Sequence, residues 1–125
     1  MISVRRAVLL TITVLAGCSD VGPSSGPGTL TATLRSPNGD EGAAVIFLLG
    51  EGVIEVNAVG ETEAYADTSG ETTRIVLINR EGGTMSVAVD VEDLGRPLVA
   101  LVREVAGPDD LLRADLAGYR VEVVQ

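Results

Sequence analysis

The sequence predicts an all-β fold, a sandwich of seven or eight short antiparallel strands, and three observations carry that expectation. Apolar residues recur with a period of two along several short segments, other segments are short runs of β-branched and aliphatic residues, and clusters of Gly, Pro, Asn and Asp punctuate them. Helical periodicity is almost absent from Thr29 onward.

Thr29 to Arg35 alternates without a fault, with Leu30, Ala32 and Leu34 on one face and Thr29, Thr31, Thr33 and Arg35 on the other, as a half-buried outer strand requires. Ser36 to Gly42 (SPNGDEG) is dense in turn formers, and Ala43 to Leu49 (AAVIFLL) is apolar throughout, the pattern of a central strand covered on both sides. Gly50-Glu51-Gly52 offers the positive φ angles of a tight reversal into Val53 to Val59, so these two segments are expected to form a hairpin. Glu61 to Glu71 (ETEAYADTSGE) is polar and reads as a loop with at most a short edge strand around Ala64 to Ala66.

Arg74 to Asn79 (RIVLIN) is a strand by its β-branched content, and Glu81-Gly82-Gly83 turns it into Met85, Val87, Val89 and Val91, a second expected hairpin. Leu98 to Val105 (LVALVREV) fits either two helical turns or a strand. Pro97 before it and Gly107-Pro108 after it limit its length, and the surrounding rhythm favours the strand. Asp109 to Leu116 is compatible with one helical turn, and Tyr119, Val121 and Val123 alternate with Arg120, Glu122 and Val124 in a closing strand.

The segment before Thr29 has another character. Arg5 and Arg6 precede an apolar run, Ala7 to Ala16, whose ten residues would rise only about 15 Å as a helix, half of what a bilayer core needs. The run closes on Leu15-Ala16-Gly17-Cys18, which contains the sole cysteine of the chain. This arrangement resembles the lipobox of bacterial lipoproteins. The resemblance implies that residues 1 to 17 are a signal peptide removed on export, that Cys18 becomes the lipidated first residue, and that three acyl chains hold the protein on a membrane. By the sorting pattern of that family, Ser19 after the cysteine, with Asp20 one later, points to the outer membrane. Residues 18 to 28 read as the lipidated Cys18 and a flexible linker, Ser19 to Gly28, with Pro23, Pro27 and three glycines, which would span roughly 16 to 19 Å, and residues 29 to 125 as the single domain.

Composition narrows the functions. Loss of residues 1 to 17 leaves seven arginines against eighteen acidic residues, a formal charge of −11, which repels nucleic acid. The exported chain has no His, Lys or Trp and no cysteine besides Cys18, so it lacks the usual bases, amines and nucleophiles, and neither a Ser-His-Asp site nor a His- or thiolate-ligated zinc site can be built. A carboxylate pair for glycoside hydrolysis is conceivable, but Phe47, Tyr65 and Tyr119 make a poor sugar platform, for a glycosidase and for a carbohydrate-binding module alike. Asn38-Gly39-Asp40-Glu41 and Pro108-Asp109-Asp110 are the loops richest in oxygen ligands for calcium, yet neither follows the spacing of an EF-hand or of a repeat calcium loop. Glu63, Tyr65 and Asp67 form the candidate interaction site, an aromatic ring displayed among charges.

Asp115-Leu116-Ala117-Gly118-Tyr119 resembles the D-x-A-x-Y tyrosine corner of immunoglobulin and fibronectin-type sandwiches, which implies a Greek-key topology and a Tyr119 phenol bonded back to the backbone. Val121 stands where antibody domains have Cys, and no further strand follows. With its lipobox, the chain resembles small bacterial envelope lipoproteins carrying an immunoglobulin-like or cohesin-like sandwich. That resemblance implies a membrane-anchored, non-catalytic binding or structural module without a cofactor, engaging another envelope protein. A Cys18→Ala variant is expected to fold normally and to be released from membranes by a high-salt wash; sedimentation with the envelope after that wash would refute the anchor.

Overall fold

The computed structural model describes residues 25–125, and the lipobox with Cys18, the signal segment and the start of the linker lie outside the described residues. Eight strands follow in order: β1 (Gly28–Arg35), β2 (Glu41–Leu49), β3 (Val53–Ala58), β4 (Glu63–Ser69), β5 (Thr72–Gly83), β6 (Ser86–Val91), β7 (Val99–Ala106) and β8 (Arg120–Val124). They form two four-stranded antiparallel sheets, β3-β6-β1-β8 and β4-β5-β2-β7, with no helix among the described residues. The all-β sandwich expected from the sequence is therefore the fold.

Alternation explains how the sheets meet. Leu30, Ala32 and Leu34 of β1 and Val87, Val89 and Val91 of β6 face Ala44, Ile46 and Leu48 of β2 and Ile75 and Leu77 of β5, all buried in one core. Burying such side chains contributes about 1.5–3 kcal/mol for each Val, Leu or Ile. The core is aliphatic, with Tyr119 at its upper margin as its one buried aromatic residue among those described.

Several local expectations are corrected. The segment read as an outer strand, β1, is interior to its sheet and pairs with β6 on one side and β8 on the other. Neither expected hairpin exists: β2 and β3 belong to different sheets, and so do β5 and β6. The Gly50–Gly52 link shows why. Gly50 N–H donates to Glu71 O (2.8 Å) on one sheet's side while Gly52 O accepts from Glu92 N–H (2.8 Å) on the other, so the glycines carry the chain across the core. Gly50 adopts φ +151°, and a Cβ there would stand 2.7 Å from Pro97 O. The one in-sheet hairpin among the described strands joins β4 to β5 through Gly70-Glu71, with Gly70 at φ +61° as the first residue of the turn.

The polar segment read as a loop is β4, a full edge strand of seven residues. Its inner-face residues Ala64, Ala66 and Thr68 are too small or polar to mark a strand by hydrophobicity. The expected helical turn at Asp109 to Leu116 is instead a turn-rich return in which Leu112 bridges Ala106 of β7. Leu98 to Val105 resolves as strand.

The chain enters the sandwich at the end where β1 begins, and Asp93 fastens it there. Its Oδ1 accepts N–H groups from Gly26 (2.9 Å) and Gly95 (2.9 Å), and Leu94 N–H donates to Gly26 O (2.8 Å). The Gly95 and then the Gly26 bond, with Arg96 nearby, hold the Asp93 carboxyl below its ordinary range. A folded-state pKa below the unfolded value of about 3.9 stabilises the fold above that value, and the contribution is lost as pH falls through the folded pKa. An Asp93→Asn variant is thus expected to melt below the wild type at pH 7, with the gap closing as pH falls below the ordinary carboxylate range; a gap that acidification leaves constant in thermal melts would show that charge plays no part.

Candidate functional site

At the end of the sandwich opposite the chain entry, one buried carboxylate organises the loops. Glu41 opens β2 and is 1% exposed, so its charge must be paired. Arg113 meets it through Nη2 (2.6 Å to Oε1) and Nε (3.1 Å to Oε1), and the Tyr119 hydroxyl donates to Oε2 (2.6 Å). Asn38 Nδ2 donates to the Tyr119 oxygen (2.8 Å), which extends the cluster to the β1–β2 turn. The Glu41 bond raises the Arg113 guanidinium still further above its ordinary value. Both oxygens of Glu41 are engaged by cationic or hydroxyl donors, so the group is a clasp and not a poised base.

This arrangement departs from the tyrosine-corner expectation in one respect. Tyr119 immediately precedes β8 and is buried, but its phenol bonds to a carboxylate where that motif has a backbone acceptor. Asp115 turns the chain just before it, its Oδ1 accepting Ala117 N–H at 2.8 Å. Beside the clasp lies a cleft of about 440 Å³ lined by Arg35, Ser36, Asp40, Thr84, Met85 and Arg120 among others. Of the loops weighed for calcium, Asn38 and Glu41 serve the clasp, and Asp109 Oδ1 accepts Leu111 N–H (3.2 Å). Among the described residues no three acidic side chains converge as metal ligands.

The candidate interaction residues Glu63, Tyr65 and Asp67 do come together, along the outer face of β4 and not on a loop. Glu63 Oε1 accepts Arg80 Nε at 2.9 Å, which pulls the Glu63 carboxyl below its ordinary range. Its second oxygen, Oε2, is shielded and accepts no hydrogen bond among the described residues. Tyr65 is 60% exposed, so the ring stands out from the sheet, and Asp67 lies across from Arg74.

Tyr65 borders a larger feature that residue-by-residue reading missed. The outer face of sheet β4-β5-β2-β7 carries Tyr65, Val76, Val45, Phe47, Leu49, Leu101 and Val99 in adjoining rows, with Arg103 over the Phe47 ring at 5.4 Å from its centroid. Val99 and Leu101 are exposed, while Val45, Phe47 and Leu49 are half-buried. The opposite sheet turns threonines outward: Thr29 donates to Asp90 (2.7 Å), Thr33 pairs with Ser86 (2.9 Å), and Arg35 with Glu122 (3.1 Å). The signal was the unbroken apolar run AAVIFLL, read as a strand covered on both sides, whose outer face is half-buried, with Arg103 over Phe47, and meets no second layer among the described residues.

Comparison of the chain with protein-family models, with curated proteins and with solved structures gave no match.

Removing only the phenol oxygen tests the clasp. Tyr119→Phe is expected to lower stability by about 1.5–3 kcal/mol, the cost of losing a hydrogen bond to a buried charge, and to drop the melting temperature by roughly 10 °C. An unchanged melting temperature would mean that the Tyr119–Glu41 bond does not hold the end of the sandwich together.

Proposed function

We propose that this protein is a lipid-anchored lipoprotein of the bacterial cell envelope, held at the outer membrane through Cys18, and that its sandwich is a non-catalytic module that binds another envelope protein. The observation that carries the binding half is the difference between the two outer faces. A sheet of a free-standing sandwich ordinarily turns polar side chains to water, as β3-β6-β1-β8 does with its threonines. The other sheet presents Tyr65, Val99 and Leu101 to solvent over half-buried Val45 and Phe47, an apolar patch in which Arg74 lies beside Phe47 and Arg103 over its ring, with Asp67 and Glu104 at its sides. Exposed apolar side chains interspersed with aromatic rings and arginines are the composition of a protein-docking surface.

The anchoring half rests on Leu15-Ala16-Gly17-Cys18, and the composition of the exported chain supports a role without bond chemistry. Entry of the chain at Gly26 leaves the outer faces of both sheets clear of the attachment point. Photo-crosslinking residues placed singly at Leu101 and at Thr31, in the full chain expressed in its own envelope, separate the two faces. A specific adduct from Leu101, none from Thr31, and its loss in a Val99→Asp background are expected. No adduct from either face would end the binding reading.

A further inference from the structure

The sandwich has four strand edges, and three of them are guarded. β3 carries a bulge between Val53 and Glu55. β7 is bulged where it pairs with Val45 and Ile46, and the returning chain covers it, with Leu112 bridging Ala106 and Arg113 N–H donating to Val105 O at 2.8 Å. β8 is the shortest strand, five residues with Arg120 and Glu122 alternating among its valines. These are the devices by which sheets avoid adding strands.

β4 has no bulge, no covering chain and not the shortness of β8; of these devices it carries only side-chain charge, Glu63 and Asp67 on its outer face. It runs seven residues, Glu63–Ser69, in unbroken register with β5 and without Pro, Gly, Lys or Arg. Counting the ladder back from the Ser69–Thr72 closing pair, the N–H and C=O groups of Ala64, Ala66 and Thr68 point away from β5. The close Thr68–Thr73 hydroxyl contact, 3.0 Å, is that of a non-hydrogen-bonded pair and fits this count.

The sandwich is also open beside this edge. Ala66 and Thr68 face inward, opposite buried Ile75 and Thr73, and yet both are exposed. Between them and β3 runs a cleft of about 270 Å³ lined by Val53, Ile54, Glu55, Val56, Ala66 and Thr68, with Ile54 61% exposed. An extended chain laid against β4 would send alternate side chains into this cleft, toward Val53, Ile54, Val56 and Ala66 beside the polar Glu55 and Thr68, and the others out beside Glu63, Tyr65 and Asp67.

We infer that β4 is a strand-addition site for an extended segment of another protein, one that alternates apolar side chains toward the cleft with basic or neutral side chains outward. The inference rests on the binding-module reading and names the kind of partner it takes. Charge selects the occupant: Glu61, Glu63, Asp67 and Glu71 on β4 and its flanking turns outnumber Arg74 and Arg80, which meet Asp67 and Glu63 from β5, and Glu55 lines the cleft, so a basic segment is attracted. A second copy of β4 is not, because it would add the same carboxylates and would offer only Ala64, Ala66 and Thr68 to the cleft.

A synthetic hexapeptide, acetyl-Val-Arg-Val-Thr-Val-Arg-amide, sets Arg opposite Asp67 and Glu63 and Val opposite Thr68, Ala66 and Ala64 when antiparallel to β4. Its binding to the full lipidated chain in non-ionic micelles is read by calorimetry, with chain-free micelles as the blank. Ala66→Pro removes an N–H that the β4–β5 ladder does not use, so it is expected to weaken binding at least tenfold with little change in melting temperature. The same peptide N-methylated at its three valines is expected to lose as much on the unaltered chain, which keeps the test valid even if the proline variant misfolds. A rearranged peptide with contiguous valines should also bind at least tenfold more weakly.

Equal binding of the rearranged or methylated peptide would reduce the attraction to net charge and overturn strand addition, as would no binding at all. A dimer of the full chain in sedimentation that Ala66→Pro abolishes would assign the edge to a second copy and overturn the occupant inferred here. Any of these results, with a Leu101 adduct still formed in the envelope, would leave the binding module standing and remove only this site.

Discussion

A carboxylate that is 1% exposed has to find its countercharges, and the loops at one end of this sandwich are arranged by that requirement. Glu41 draws Arg113 and Tyr119 from more than seventy residues away in sequence. Through Arg113 it fixes the segment between β7 and β8, and that segment in turn lies over the β7 edge and delivers Tyr119 to the start of β8. Through Tyr119 and Asn38 it ties in the β1–β2 turn as well. One buried charge thus coordinates a sheet edge, a strand start and a turn that have no other polar link of comparable strength among the described residues.

Sandwich architecture was legible in the chain because alternation is a local property: Leu30, Ala32 and Leu34 declare their face without reference to anything distant. Strand pairing was not, because a glycine-flanked turn serves a hairpin and a crossing between sheets equally well. Gly50 and Gly52 supply the same positive φ angles in either case, and the outcome depends on where Glu71 and Glu92 stand. β4 was underestimated for a related reason. Its strand character comes from main-chain pairing with β5, and small or polar inner residues leave no hydrophobic trace of it.

The candidate site was legible in part. Tyr65 with its flanking acids was visible as a displayed aromatic, though on a strand where a loop was expected. The clasp was hidden, since Glu41 sits among turn residues and nothing local distinguishes a paired carboxylate from a solvated one. The apolar outer face was encoded in AAVIFLL and LVALVREV, runs too continuous for strands wet on one side. Such a run fits double coverage, but on its outer side the described residues form no second layer.

The attachment of the chain at Gly26 and Gly28 also sets how the domain meets mechanical load. β1 is flanked on both sides, antiparallel, by β6 and β8, and it begins at the entry point. Traction from the N-terminal side runs along the axis of β1 and stresses both of its ladders together, in shear, so that many hydrogen bonds resist at once. An edge strand entering at that position would instead have a single ladder to hold it. Asp93, bonded to Gly26 just ahead of the strand, is among the described residues the first side chain in the path of such a pull.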